Sequence, residues 1–284
     1  MIDALRYEWT RITTLRSTWW ISGMSVLVGA GFTFVVWMFL RLTSPGDIEG
    51  ELVGDGARFY YNAAMTQFSN VDPMFYLVAY AVAILGILSW GHEYRHSMIR
   101  ATLTTVPQRW TVWLAKYLVV GAWVSVVVVL TCVLSLVCAM LWFAGLDADF
   151  DAAYLLAALA KRVVYTVMVT WLVMSATVLI RHQTFALVLL YLWPLGVETL
   201  IRFMGLIVGA ITGDSSPDGL RFMPFNAAGR LVQDVSITDP TGGIQDSLDL
   251  FGNPLSFWGA FLVFGLYTFV LMAASIVAFQ KRDA

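Results

Sequence analysis

Charge is what this sequence has least of. Asp, Glu, Lys and Arg make up 13% of the 284 residues, whereas a soluble domain carries about 25%. So thin a polar coat excludes an ordinary water-soluble globular fold. Cysteine is almost absent. Cys132 and Cys138 are the only two, and both stand in an apolar run. That excludes a disulfide framework and marks them as buried free thiols. A Gly-Lys pair is missing: Lys116, Lys161 and Lys281 follow Ala, Ala and Gln. Without it there is no phosphate-cradling G-x-x-x-x-G-K-[ST] loop, so the chain is not expected to hydrolyse ATP or to be an enzyme by that route. The net charge of −2 gives no overall basic character for nucleic acid. The first apolar run is too long for a signal peptide and lacks a small-residue cleavage site, so it is expected to remain as a span.

What is present is apolar sequence in blocks of membrane-crossing length. Hydrophobic residues make up 59% of the chain, with 12 Trp. A bilayer core needs about 20 apolar residues per helix. The expected fold is an all-α integral membrane protein. Residues 1–18 form an amphipathic interfacial helix, with Ile2, Leu5, Trp9 and Ile12 on one stripe. A transmembrane domain, 19–284, follows with spans at about 19–40, 73–90, 112–144, 155–180, 184–212 and 256–279. Residues 41–72 are expected as a polar loop, 91–111 as a basic connector and 213–255 as an external loop.

The distribution of Lys and Arg sets the expected orientation. With the N-terminus inside, ten of the seventeen Lys and Arg, but only four of the nineteen acids, fall on the inner side. Both termini are therefore expected in the cytoplasm of a multi-pass cell-membrane protein. Trp19, Trp20, Trp90, Trp110 and Trp113 mark the inner interface; Trp37, Trp142 and Trp258 mark the outer one. Lys161 and Arg162 are expected to snorkel to outer headgroups. Asp147, Asp149 and Asp151 read as a solvated acidic turn, because the Gly and late Glu of a calcium loop are missing.

The fifth span is irregular. Pro194 is expected to bend or break it near Glu198. The segment beyond is a candidate re-entrant hairpin lining a cavity. Glu198 and Arg202 are four apart and would face one another on a helix. They read either as an outer gate or as a mutually neutralising structural pair.

Two patterns could carry chemistry. His92-Glu93-Tyr94-Arg95-His96 spells H-E-x-x-H, the zinc-binding pattern of metalloproteases, with His92 and His96 as ligands and Glu93 as base. A catalytic site needs a third ligand, and His182 is the only other histidine. The same residues open a longer pattern: Glu93, Tyr94, Arg95, Ser97, Ile99, Arg100, Leu103, Pro107, Arg109 and, one turn on, Lys116. This connector resembles the loop between the second and third spans of type-2 ABC exporter permeases. That loop runs roughly E-[YF]-[RE]-x-G-T-[IL]-[RK]-x-x-L, then Pro, Arg and Lys. Ser97 and Met98 depart from the Gly-Thr of the pattern. The basic leader, six spans and polar segment before the last span extend the resemblance to the whole layout.

The resemblance implies a permease subunit with no cofactor of its own. ATP and Mg would sit in a separate ABC ATPase subunit, docked under the 91–111 coupling loop. A second permease subunit, identical or not, would complete the path, and membrane lipids would surround it. Ser97, Ile99, Arg100 and Leu103 mix apolar anchors with a cation, as groove docking requires, and Pro107 would end their helix. Glu93 and Arg95 are expected to organise the connector by ion pairing. The alternatives are a membrane metalloprotease and a non-transporting anchor or sensor subunit. A proton-coupled carrier is disfavoured, since such carriers place ionisable residues near the midplane of several spans. Trp123, Trp171 and Trp193 hint at amphipathic or lipid-like cargo; the sequence does not identify it.

Overall fold

The computed structural model describes residues 1–43, 52–67, 69, 72, 76–95, 108–144, 146, 148–212, 218–233 and 255–282. Helices make up the described fold, and no strand occurs among those residues. In chain order they are α1 Ile2–Thr14, α2 Arg16–Thr43, α3 Asp55–Met65, α4 Leu77–Arg95, α5 Arg109–Phe143 and α6 Ala152–Ile180. Then come α7 Gln183–Tyr191, a π-helical segment Leu192–Glu198, α8 Thr199–Thr212, a 3₁₀ turn Asp218–Phe222, α9 Pro224–Gly229 and α10 Phe257–Arg282. Six stretches are long and apolar enough to cross a membrane: α2, α4, α5, α6, the α7–α8 stretch and α10. The architecture is that of an all-α, multi-pass membrane protein.

Burial runs opposite to the order of a soluble protein. The buried stripe of α2 is Thr18, Ser22, Ser25, Gly29, Thr33 and Trp37. Its exposed positions include Leu27, Val28, Phe32, Val35 and Phe39. Small and weakly polar residues let two backbones close up, while the large apolar ones face hydrocarbon. The approach of α2 to α5 is tight: a Cβ on Gly29 would stand 2.6 Å from Thr131 Cγ2. The contact of α4 with α6 uses Gly86 in the same way, against Thr170 and Met174. α6 sits centrally, packed on α4, α5 and α10.

The helices alternate between two ends. The proximal end carries α1, the last turn of α4, the start of α5, the α6–α7 elbow and the last turns of α10. Arg109 Nη1 donates to the Gln280 carbonyl at 3.0 Å, and Trp90 meets Phe279 with centroids 5.2 Å apart. At 35 residues, α5 is about 52 Å long. It exceeds a hydrocarbon core of about 30 Å, so one or both of its ends stand in the interfaces.

Three features depart from the sequence expectations. The loop expected over 41–72 contains α3, whose Ala63, Ala64 and Met65 are fully buried. Its tip reaches the interior of the bundle, where Thr33 Oγ1 donates to the Ala64 carbonyl at 3.1 Å and Cys132 Sγ lies 3.7 Å from the Met65 carbonyl. Arg162 does not snorkel. It is fully buried and donates to the Ala158 carbonyl at 2.6 Å and to the side-chain and backbone oxygens of Asn62 on α3. The acidic turn is not merely solvated. Asp149 accepts from the Gly54 N–H at 2.8 Å, and Asp151 accepts from Arg58 of α3 at 2.7 Å.

The fifth span is irregular at Pro194 but remains one continuous helix. Seven residues, Leu192–Glu198, widen into a π-helix between α7 and α8. Beyond it α9 returns to the bundle, with Ala227, Ala228 and Leu231 fully buried and Phe225 between Tyr80 and Phe264.

Candidate functional site

Four charged side chains meet at the proximal end. Glu8 and Arg11 come from α1, Glu93 from the last turn of α4 and Lys116 from the second turn of α5. Lys116 Nζ donates to Glu8 Oε1 and to Glu93 Oε1, each at 2.6 Å. Arg11 Nη1 bonds to Glu93 Oε1 and lies 3.4 Å from Glu8 Oε2. Its Nη2 donates to the Ser89 carbonyl at 3.0 Å. The Lys116 side chain is fully buried, and those of Glu93 and Glu8 are 2% and 6% exposed. The ammonium also stands 5.2 Å from the Trp90 ring. Two acids and two bases balance in charge. Burial of so many ions is tolerated because each finds an opposite partner at hydrogen-bonding distance.

The sequence places these groups by helical spacing. Ala4, Glu8 and Ile12 recur every fourth residue and form the buried face of α1. The stripe expected to face the membrane is therefore divided: Ile2 and Trp9 are exposed, and Ile12 packs inward. An aromatic clasp holds the α1–α2 elbow against α5. Trp9 and Trp19 stand edge-on to Trp123 at 5.9 and 5.2 Å, and Trp123 Nε1 donates to Ser22 Oγ at 3.0 Å.

Glu93, Tyr94 and Arg95 belong to the end of α4, and Arg109 opens α5. Glu93 pairs with Arg11 and Lys116 rather than with Arg95, which is exposed. Tyr94 stacks on Trp90, with the Arg181 guanidinium 5.8 Å from its centroid. His96, Ser97, Ile99, Arg100, Leu103 and Pro107 lie outside the described residues. His182 caps α7, its Nδ1 accepting from the Phe185 N–H at 3.2 Å. Among the described residues no three of His, Cys, Asp and Glu stand together as metal ligands. His92 is half-buried beside the engaged Glu93 carboxylate.

Glu8 and Arg11 escaped the sequence reading as site residues. The available signal was Glu8 standing in register with Ala4 and Ile12, an acid on a face that packs. Lys116 carried a plainer one, an ammonium one turn inside an apolar span.

A second polar cluster lies toward the distal end. Glu198, fully buried, accepts from Trp193 Nε1 at 3.0 Å and from the Phe225 and Asn226 N–H groups at 3.0 Å. Arg202 instead reaches Asp72, at 3.1 Å. The expected Glu198–Arg202 ion pair is not formed: each side chain fastens a different segment, Glu198 the start of α9 and Arg202 the Asp72 carboxylate. Nearer the surface, the Tyr154 N–H, and after it Arg58, hold the Asp151 carboxyl below its ordinary value.

No protein-family model matches the chain, and no curated protein matches it.

Proposed function

We propose that this chain is the membrane-spanning permease subunit of an ATP-driven ABC exporter of the type-2 kind, working as a dimer in the cell membrane with both termini in the cytoplasm. The ATP and Mg would be held by a partner ATPase subunit docked at the 91–111 loop. One observation carries the reading beyond the sequence resemblance. The helices flanking that segment, α4 and α5, are locked to each other and to α1 by the Glu8–Arg11–Glu93–Lys116 cluster. A docking loop that receives force needs a rigid mount, because motion absorbed at its roots never reaches the spans. A buried ionic clamp within two turns of both roots supplies one.

The metalloprotease reading is less favoured by the same geometry. A general base must reach a metal-bound water, and the Glu93 carboxylate is buried with Oε1 already held by two cations.

The experiment is co-purification of the tagged full-length chain from its own host, followed by an ATPase assay. An ABC ATPase is expected to accompany the chain, and Arg100→Glu and Leu103→Asp are expected to weaken its retention sharply. Retention unchanged by both substitutions would overturn the docking assignment. Stoichiometric zinc in the purified chain, lost in His92→Ala, would instead favour the protease.

A further inference from the structure

Beneath helix α9 lies an apolar cleft of about 410 Å³. Its walls include Leu172, Ala176 and Leu179 of α6, Leu189 of α7, Trp193 of the π-helical segment and Phe225 of α9. Among the described residues no charged side chain lines it. Its polar handles point to other work: Trp193 Nε1 and the Phe225 N–H both donate to Glu198, and the Tyr267 hydroxyl donates to the Phe222 carbonyl at 3.3 Å. Water needs two to four polar partners to settle in a cavity, and this one offers almost none. A headgroup or a metal ion finds no counter-charge.

Its size falls in the range of small-molecule sites, roughly 300–1,000 Å³. Its shape is also fixed in advance. Glu198 clamps both aromatic walls, Trp193 from the π-helix and Phe225 from α9, so the cleft does not have to be assembled by its occupant. The cleft is cut into spanning helices whose neighbouring positions, Phe185, Val188 and Leu192, are exposed apolar residues. On such a surface the surrounding medium is hydrocarbon, and an empty cleft forfeits dispersion contacts along its lining.

We propose that this cleft binds one hydrocarbon chain of a lipid or lipid-like amphiphile, held between α6, α7, α10 and the Glu198-clamped aromatic pair. The site stands independently of the exporter reading. Two sources share this chemistry, a bilayer phospholipid and a single-chain amphiphile.

The test uses the full-length chain in nanodiscs with a diazirine in mid-chain of the probe, either a phosphatidylcholine or a long-chain fatty acid. Labelled residues are mapped by mass spectrometry. Labelling over Ala176–Leu179 and at Leu189 is expected to saturate with probe concentration. Leu262 and Phe269, exposed on α10, are expected to label in simple proportion to the probe. Ala176→Phe and Leu189→Trp, which fill the cleft from opposite walls, are each expected to cut the saturable labelling about tenfold. Saturable labelling by phosphatidylcholine assigns the site to bilayer lipid; saturable labelling by the fatty acid alone assigns it to a single-chain amphiphile. Linear labelling of the cleft by both probes in the unsubstituted chain overturns the proposal, whether or not either filled variant folds. So does saturable labelling that persists unchanged in both variants.

Discussion

Lys116 shows what a single charge does in this molecule. It is fully buried, and two carboxylates reach it at 2.6 Å. Replacing it by Met keeps most of the volume but leaves Glu8 and Glu93 with only Arg11 between them. Breaking a buried ion cluster in this way costs about 3–5 kcal/mol. Lys116→Met is therefore expected to lower the thermal unfolding midpoint sharply in detergent. Adding Glu8→Gln should recover part of the loss, since one unpaired charge is removed. A double variant no better than the single one would show that the cluster does not act as a unit. Glu93 and Lys116 both stood out in the sequence as members of the connector pattern. Their partners were not legible, because nothing local to α1 states which face of the bundle it docks on. The same holds for Glu198 and Arg202. Spacing on a helix pairs them, but the return of α9 to Glu198 and the approach of Asp72 to Arg202 give them separate partners.

At the scale of helices, close approach through small residues decides the packing. Gly29 faces Thr131 across the α2–α5 contact at a distance no Cβ tolerates, whereas Gly31, two residues on, has nothing within 4 Å. Gly29→Leu is expected to cost roughly 1–3 kcal/mol by overpacking, and Gly31→Leu close to nothing. Unfolding midpoints of the two variants side by side make the comparison. The α3 helix was missed for a different reason. Asp55, Arg58 and Asn62 give its eleven residues the look of a loop, and Arg58 and Asn62 find their partners only on meeting Asp151 and Arg162. Arg58 pairs with Asp151, the residue that caps α6 through the Tyr154 N–H at 3.0 Å. The Asp151 carboxyl is held below its ordinary value of 3.8. Its contribution is thus complete above that value and is lost as the pH falls through the depressed one. Wild type and Asp151→Asn are expected to differ in midpoint at neutral pH and to converge as the pH drops below the ordinary carboxylate range. A gap that persists under strong acid would assign the effect to something other than this carboxylate.

For the whole molecule, the two short helices buried against the bundle are the main addition to its six spans. Both α3 and α9 occupy connections at the distal end, and both are pinned by buried polar groups, Arg162 with Asn62 and Glu198 with Phe225. Cysteine accessibility tests this arrangement together with the proposed orientation. In a background carrying Cys132→Ser and Cys138→Ser, a membrane-impermeant maleimide applied to intact cells is expected to label Val53→Cys. It should spare Ala64→Cys, buried at the tip of α3, and Arg95→Cys, on the opposite side of the membrane. Labelling of Arg95→Cys but not Val53→Cys would reverse the orientation, and labelling of Ala64→Cys would remove α3 from the interior.

By itself the sequence determined that this chain lives in a bilayer and crosses it six times. Both follow from the scarcity of charge and the length of the apolar runs, quantities that sum along the chain whatever its neighbours. It also marked Pro194 as the place where the fifth span becomes irregular, since a missing N–H is a local property. The tertiary structure alone decided that α1 docks by a charged face, that α3 enters the bundle and that Glu198 and Arg202 part company. In each of these a buried ion or a polar helix is stable only beside a partner distant in sequence. Desolvation makes the wrong partner costly, and only the packed bundle specifies the right one.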